Sequence, residues 1–180
     1  MHGLGEAFRR PEIHRAIADG PLGRIACMVV QWSGDLDQTT AVPWTLIGDD
    51  GDALDFAAVL EDTPRDLGGG ATAIGAAMQY AAALLLTAPL AATRKVIDIS
   101  SDGRSNRGIR PSVARDRIAV QGITINGLVI LDEWPTLDIY FQQQVIGGPH
   151  HFVIEAHDYA AYAEAIYRKL LQEITGPGVS

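Results

Sequence analysis

Asp98, Ser100 and Asp102 alternate along one short apolar stretch, so on an extended strand their side chains share a face. Asp102-Gly103 opens a polar loop that runs to Gly108, which puts the Asp102 carboxylate at the strand end. Open α/β sheets bind ligands beyond the carboxyl ends of their strands. Thr72 stands where the cluster Gly68-Gly69-Gly70 gives way to an alanine-rich run, and would present a hydroxyl and backbone N–H groups at a helix start. Hard oxygen donors of this kind suit Mg²⁺, Mn²⁺ or Ca²⁺. Two other roles fit the same residues. Thr72 can be a plain N-cap and Asp102-Gly103 a plain turn; or Asp98, Asp102 and Thr72 can serve a small hydrolase or phosphate- or nucleotide-binding enzyme.

The remaining chemically suggestive residues carry less. The run from Gly68 to Gly75 could cradle a phosphate at a helix start, but it lacks the Gly-Lys-Ser/Thr ending of a P-loop. His150 and His151 would point to opposite faces of an extended segment, and with His157 they find no nearby cysteine to complete a zinc set, so they read as loop and surface histidines. Ser100 and Ser101 have acids beside them but no identifiable histidine base, and Gly-x-Ser-x-Gly is absent. Cys27, the single cysteine, lies in the run Ile25–Val30 and reads as a small buried hydrophobe. Trp32, Trp44 and Trp134 read as packing residues; an exposed Trp134 would point to a partner surface.

The elements that must position these residues follow from hydrophobic periodicity. Phe8–Ala18 predicts a short helix stopped by Gly20-Pro21. Arg24–Trp32 predicts a buried strand, and a turn at 33–37 folds it into a hairpin with Thr39–Ile47, where Pro43 demands an edge position. Asp52–Leu60 has helical spacing with Phe56, Val59 and Leu60 inward. A helix from Thr72 to Leu86, a strand at Lys95–Ser100, a helix from Pro111 to Gln121 and strands at Ile123–Leu131 and Phe152–Ala156 follow. Asp158 would cap a last helix whose apolar stripe is Tyr159, Tyr162, Ile166, Leu170 and Ile174. The alternation of strand and helix predicts a three-layer α/β domain over residues 1–180, with helices on both faces of a mostly parallel sheet, one antiparallel edge strand and a tail at 176–180.

Charge excludes two partner classes. The chain carries 14 Lys plus Arg against 22 Asp plus Glu, a formal net charge of −8, with no basic block of the kind that phosphate backbones require. An anionic membrane surface is disfavoured for the same reason, and no stretch reaches the roughly 18 apolar residues of a membrane span. The first residues have no apolar signal-peptide core, which reads as cytoplasmic as written.

Several segments together resemble a bacterial family of unknown function with a von Willebrand factor type A-like domain. They are residues 20–26, Gln31-Trp32-Ser33-Gly34, residues 42–47, Thr72 to Gly75, residues 96–103, residues 122–128 and residues 145–149. The resemblance implies a Rossmann-like α/β fold and a protein-binding, non-enzymatic role of adhesion type, often in exported proteins. It also implies a metal-ion-dependent adhesion site built from an Asp-x-Ser-x-Ser motif after the first strand, a Thr from a second loop and an Asp from a third. Thr72 matches the Thr and Asp102 the last Asp. The chain opens inside the helix that should follow the Asp-x-Ser-x-Ser motif, so the first strand is absent and the site incomplete; Mg²⁺ or Mn²⁺ would then be held weakly or not at all. In that fold the absent strand lies between Arg24–Trp32 and Lys95–Ser100, and its loss would leave a central sheet edge for a second copy of the chain to fill.

Overall fold

The computed structural model describes residues 1–68 and 70–176, so Gly69 and the expected tail beyond Gly176 lie outside the described residues. Two compact units emerge, the first from residues 1–29, 40–65 and 160–180, the second from 30–39 and 66–159.

The first unit is mainly helical. Helix α1 (His2–Phe8) and helix α2 (Pro11–Ala18) replace the single helix expected over Phe8–Ala18. Pro11, which lacks an amide proton, is the second helix's first residue, so the break falls at Arg9-Arg10. Phe8 of α1 meets Phe56 of helix α3 (Asp50–Asp62) edge-to-face, with ring centroids 4.9 Å apart. Asp49 caps α3 by accepting from the Asp52 amide. Of the residues expected inward on α3, Phe56 and Leu60 are buried while Val59 is exposed, because the buried stripe runs through Ala53, Phe56, Ala57 and Leu60. Helix α7 (Tyr162–Thr175) packs on α1 and α2. It begins after Ala161, not at Asp158, so Tyr159 is no part of its apolar stripe. Ile166, Leu170 and Ile174 are buried as expected, and the same face carries Lys169, fully buried with its Nζ 2.7 Å from Glu173 Oε1.

Strand β1 (Ile25–Trp32) and strand β2 (Gln38–Ile47) form an antiparallel pair, tied at the turn by the Ser33 amide donating to the Asp37 carbonyl. Pro43 is tolerated because β2 has β1 on one side only. All eight residues of β1 are half-buried, Cys27 among them, so this apolar run is not a strand covered on every side. Burial still pushes the Cys27 thiol up to about 12, with the nearby Glu173 charge adding to it, which leaves an unreactive thiol at neutral pH.

The second unit holds a three-stranded parallel sheet in the order β3-β4-β5. Strand β3 (Lys95–Ser101) pairs with strand β4 (Ile123–Ile130) from Lys95↔Ile123 to Ser101↔Val129; β4 pairs with strand β5 (Val153–Ala156) from Gly127↔Val153 to Ile130↔Ala156. β4 is central and buried along nearly its whole length, the reason its sequence is almost continuously apolar. Helix α4 (Ile74–Leu86) and helix α5 (Pro111–Ala119) pack on each other and against the sheet. Gly122, at a φ of 75°, ends the α5 segment as expected. Helix α6 (Leu137–Gln144) was not foreseen in the sequence; it rests on β4 and β5 through two buried anchors, Leu137 and Phe141. Among the described residues the antiparallel pair and the parallel sheet form separate ladders.

Candidate functional site

The carboxyl ends of the parallel strands, and the loops beyond them, gather the residues singled out above. Ser101 ends β3 and turns the chain, its Oγ donating to the Gly103 carbonyl at 3.0 Å. Asp102 is exposed one residue past the strand, and its Oδ2 accepts a short hydrogen bond of 2.5 Å from the Tyr159 hydroxyl. That bond, then burial, then the charges of Asp102, Glu133 and Asp132 push the Tyr159 phenol up to about 12. Tyr159 therefore stays protonated and keeps donating to Asp102 at neutral pH. Asp98 is exposed at mid-strand opposite Asn126, four residues from Asp102. Four residues of extended chain span about 13 Å, too far for the two carboxylates to act on one atom.

Thr72 is not the N-cap expected of it. Helix α4 starts at Ile74 with Ala73 as its cap residue and no side-chain cap. The Thr72 backbone is instead gripped by the loop after β3. Its amide donates to Asn106 Oδ1 at 2.9 Å, and its carbonyl accepts from the Asn106 amide at 3.0 Å and from Ser105 Oγ at 3.1 Å. Next to it, the Ala73 amide donates to the Ser33 carbonyl at 2.8 Å. Gly75 lies against the Ile109 carbonyl so closely that any Cβ would strike it, which brings the start of α4 directly onto the loop.

The same loop is pinned on its other side. Arg104 donates to Thr136 Oγ1 at 2.9 Å and lies over the rings of Trp134 and Tyr140, 5.2 and 5.4 Å from their centroids. The Ser105 amide donates to the Tyr140 hydroxyl at 3.3 Å, and burial holds that phenol above its ordinary pKa. Trp134 is 45% exposed. The sequence held no short-range signal for Asn106, Tyr140 or Tyr159, because each acts on a residue more than thirty positions away.

The histidines stay apart from this chemistry. His150 sits at a φ of 55° in the turn before β5, and His151 Nδ1 lies 2.7 Å from the Gly148 carbonyl in the same turn. His157 is exposed.

The Asp102 carboxylate is engaged by a phenol, Thr72 is held through its backbone, and among the described residues no three His, Cys, Asp or Glu side chains converge on a point that could hold a metal. Hard divalent cations need six or more oxygen ligands.

The family model described as "Protein of unknown function (DUF1194)" matches residues 1–178. The chain belongs to this family. No curated protein matches it by sequence. Among solved structures it is similar to proximal thread matrix protein 1 from the mussel byssus, at 16% identity and a TM-score of 0.64, covering 89% of this chain and 42% of that one. A form of the same mussel protein with a zinc-occupied metal-ion-dependent adhesion motif aligns at 17% identity and a TM-score of 0.52, covering 82% and 35%. The conserved hypothetical protein BatB from Bacteroides thetaiotaomicron aligns at 17% identity and a TM-score of 0.55, covering 95% of this chain and 87% of that one. The chain thus spans less than half of the mussel protein and most of the bacterial one. At these identities the likeness shows the fold, which is von Willebrand factor type A-like, as the sequence resemblance implied. No helix among the described residues is long and apolar enough to cross a membrane.

Proposed function

We propose that the chain is a non-enzymatic, adhesion-type protein-interaction domain, acting as one domain over residues 1–180, with an incomplete metal-ion-dependent adhesion site. One observation carries this reading. The loops beyond the parallel strands spend their polar groups on each other, Asp102 on Tyr159 and Thr72 on Ser105 and Asn106, while an exposed Trp134 stacked by Arg104 faces solvent. Tryptophan and arginine so placed are the residues that dominate protein interfaces. The mussel neighbour, a thread matrix protein of the byssus, supports a place outside the cytoplasm.

Mg²⁺ and Mn²⁺ are expected to bind weakly or not at all, since water would have to supply most of the coordination shell around Thr72 and Asp102. Isothermal titration checks this; micromolar affinity abolished by Asp102→Ala would show a working metal site. A screen of phosphatase substrates and nucleotides checks the enzymatic alternative, and turnover lost in both Asp98→Ala and Asp102→Ala would establish it.

The unidentified partner includes a second copy of the chain. β1 and β3 each pair on one side only, and β1 keeps all eight of its largely apolar residues half-exposed. Long apolar edges of this kind template strand addition. A dimer is expected by size-exclusion chromatography with light scattering at micromolar concentration. A monodisperse, cooperatively folded monomer would remove the homodimer from this reading.

A further inference from the structure

The loop that grips Thr72 continues into a stretch of unusual charge. Residues 104–117 carry five arginines and a single acid, Asp116, in a chain whose formal net charge is −8. Three of the five are accounted for in different ways. Arg104 is held by Thr136 and two aromatic rings, Arg115 by Asp116 and the Gln143 carbonyl, and Arg117 is exposed on α5. Arg107 and Arg110, like Arg117, are exposed and make no side-chain hydrogen bond or ion pair among the described residues, but these two alone of the three line a cleft of about 260 Å³.

The rest of that cleft is rich in donors and holds no carboxylate. Asn106 and Gln144 offer amides, and Ile109 and Pro111 offer an apolar flank. Tyr140 also lines it. Its hydroxyl already accepts from the Ser105 amide, and burial raises its pKa, so the phenol keeps a proton that it can donate to a bound acceptor. Two guanidiniums, a phenol and two amides around one opening are suited to an anion, and the planar guanidinium fork matches a carboxylate in particular.

We infer that this cleft binds an acidic peptide segment of a partner protein, with Arg107 and Arg110 pairing side-chain carboxylates. The inference rests on the interaction reading above and gives it a site and a ligand class. A peptide fits better than a polyanion for two reasons. The cleft accommodates only a side chain or two, and the acidic remainder of the chain repels anything densely charged over a long reach. The neighbouring exposed Trp134 and the Arg104 stack supply the aromatic and arginine composition of a protein interface beside the charged pocket.

The test uses the full chain and a fluorescein-labelled tetraglutamate peptide, read by anisotropy at low salt. Its tetraglutamine counterpart, inorganic phosphate and heparin are run beside it. Tetraglutamate is expected to bind, tetraglutamine not, with affinity falling as salt rises. Arg107→Gln with Arg110→Gln should weaken binding about tenfold or more, whereas Arg168→Gln, an exposed arginine on α7, should change it less than about twofold. Equal losses in the two variants, or none in either, would overturn the cleft, as would heparin or phosphate binding while tetraglutamate does not. Circular dichroism and the denaturant midpoint of each variant keep folding separate from binding. A chain silent in the hydrolase screen that ignores tetraglutamate loses the arginine cleft alone. A chain that hydrolyses substrates loses the interaction reading whether or not the peptide binds.

Discussion

Phe141→Ala is expected to lower the stability of the chain by about 3–5 kcal/mol, the range for deleting a fully buried aromatic side chain. Phe141 is fully buried on α6, and a Cβ placed on Gly127 of the central strand would come within 2.6 Å of its ring. The glycine is the socket and the ring is the plug. The backbone depends on the same residue, since the amides of Val145 and Ile146 both donate to its carbonyl and lead the chain to the antiparallel bridge between Gly147 and Ile125. A cavity at this point cannot collapse easily, because β4 beneath it is paired on both sides. Urea titration by circular dichroism measures the effect. A loss below about 1 kcal/mol would mean that α6 does not dock on the sheet as described.

Glu173→Ala is expected to cost a similar amount, about 3–5 kcal/mol, for an electrostatic reason. The Lys169 ammonium is fully buried in the first unit and lies 2.7 Å from Glu173 Oε1, one helical turn along α7. Removing the carboxylate leaves a cation away from water with its nearest counter-charge gone. Replacing both partners by apolar residues, Lys169→Met with Glu173→Leu, removes the desolvation penalty together with the attraction and should recover most of the loss. Chemical denaturation of the two variants decides the point. If the double variant is no more stable than Glu173→Ala, the buried charge is not the source of the cost. The exposed pairs Arg9–Glu61 and Arg10–Glu164 offer a contrast, since solvent screens surface ion pairs and they contribute little.

Much of this molecule was determined by local pattern alone. The apolar runs at 25–32, 95–101 and 123–130 are strands because residues buried on a sheet leave a short-range signature. Pro111 and Gly122 bracket α5 because one lacks an amide proton and the other tolerates positive φ. The family segments and the α/β class were legible for the same reason.

Tertiary structure decided the rest, wherever one group depends on another far along the chain. Helix α6 escaped notice because its buried face is only Leu137 and Phe141 beside a run of three glutamines, and packing on β4 rather than periodicity holds it. Thr72 looked like a cap because it is a threonine before an alanine-rich run; Ser105 and Asn106, some 34 residues away, claim its backbone instead. Tyr159 fitted a helical stripe by spacing, yet its hydroxyl is fixed on Asp102, 57 residues earlier. Strand pairing is non-local in the same way. Side-chain pattern identifies which residues are strands, but backbone hydrogen bonds between distant segments decide which edges meet, and here β1 pairs with β2 while β3, β4 and β5 pair in a ladder of their own.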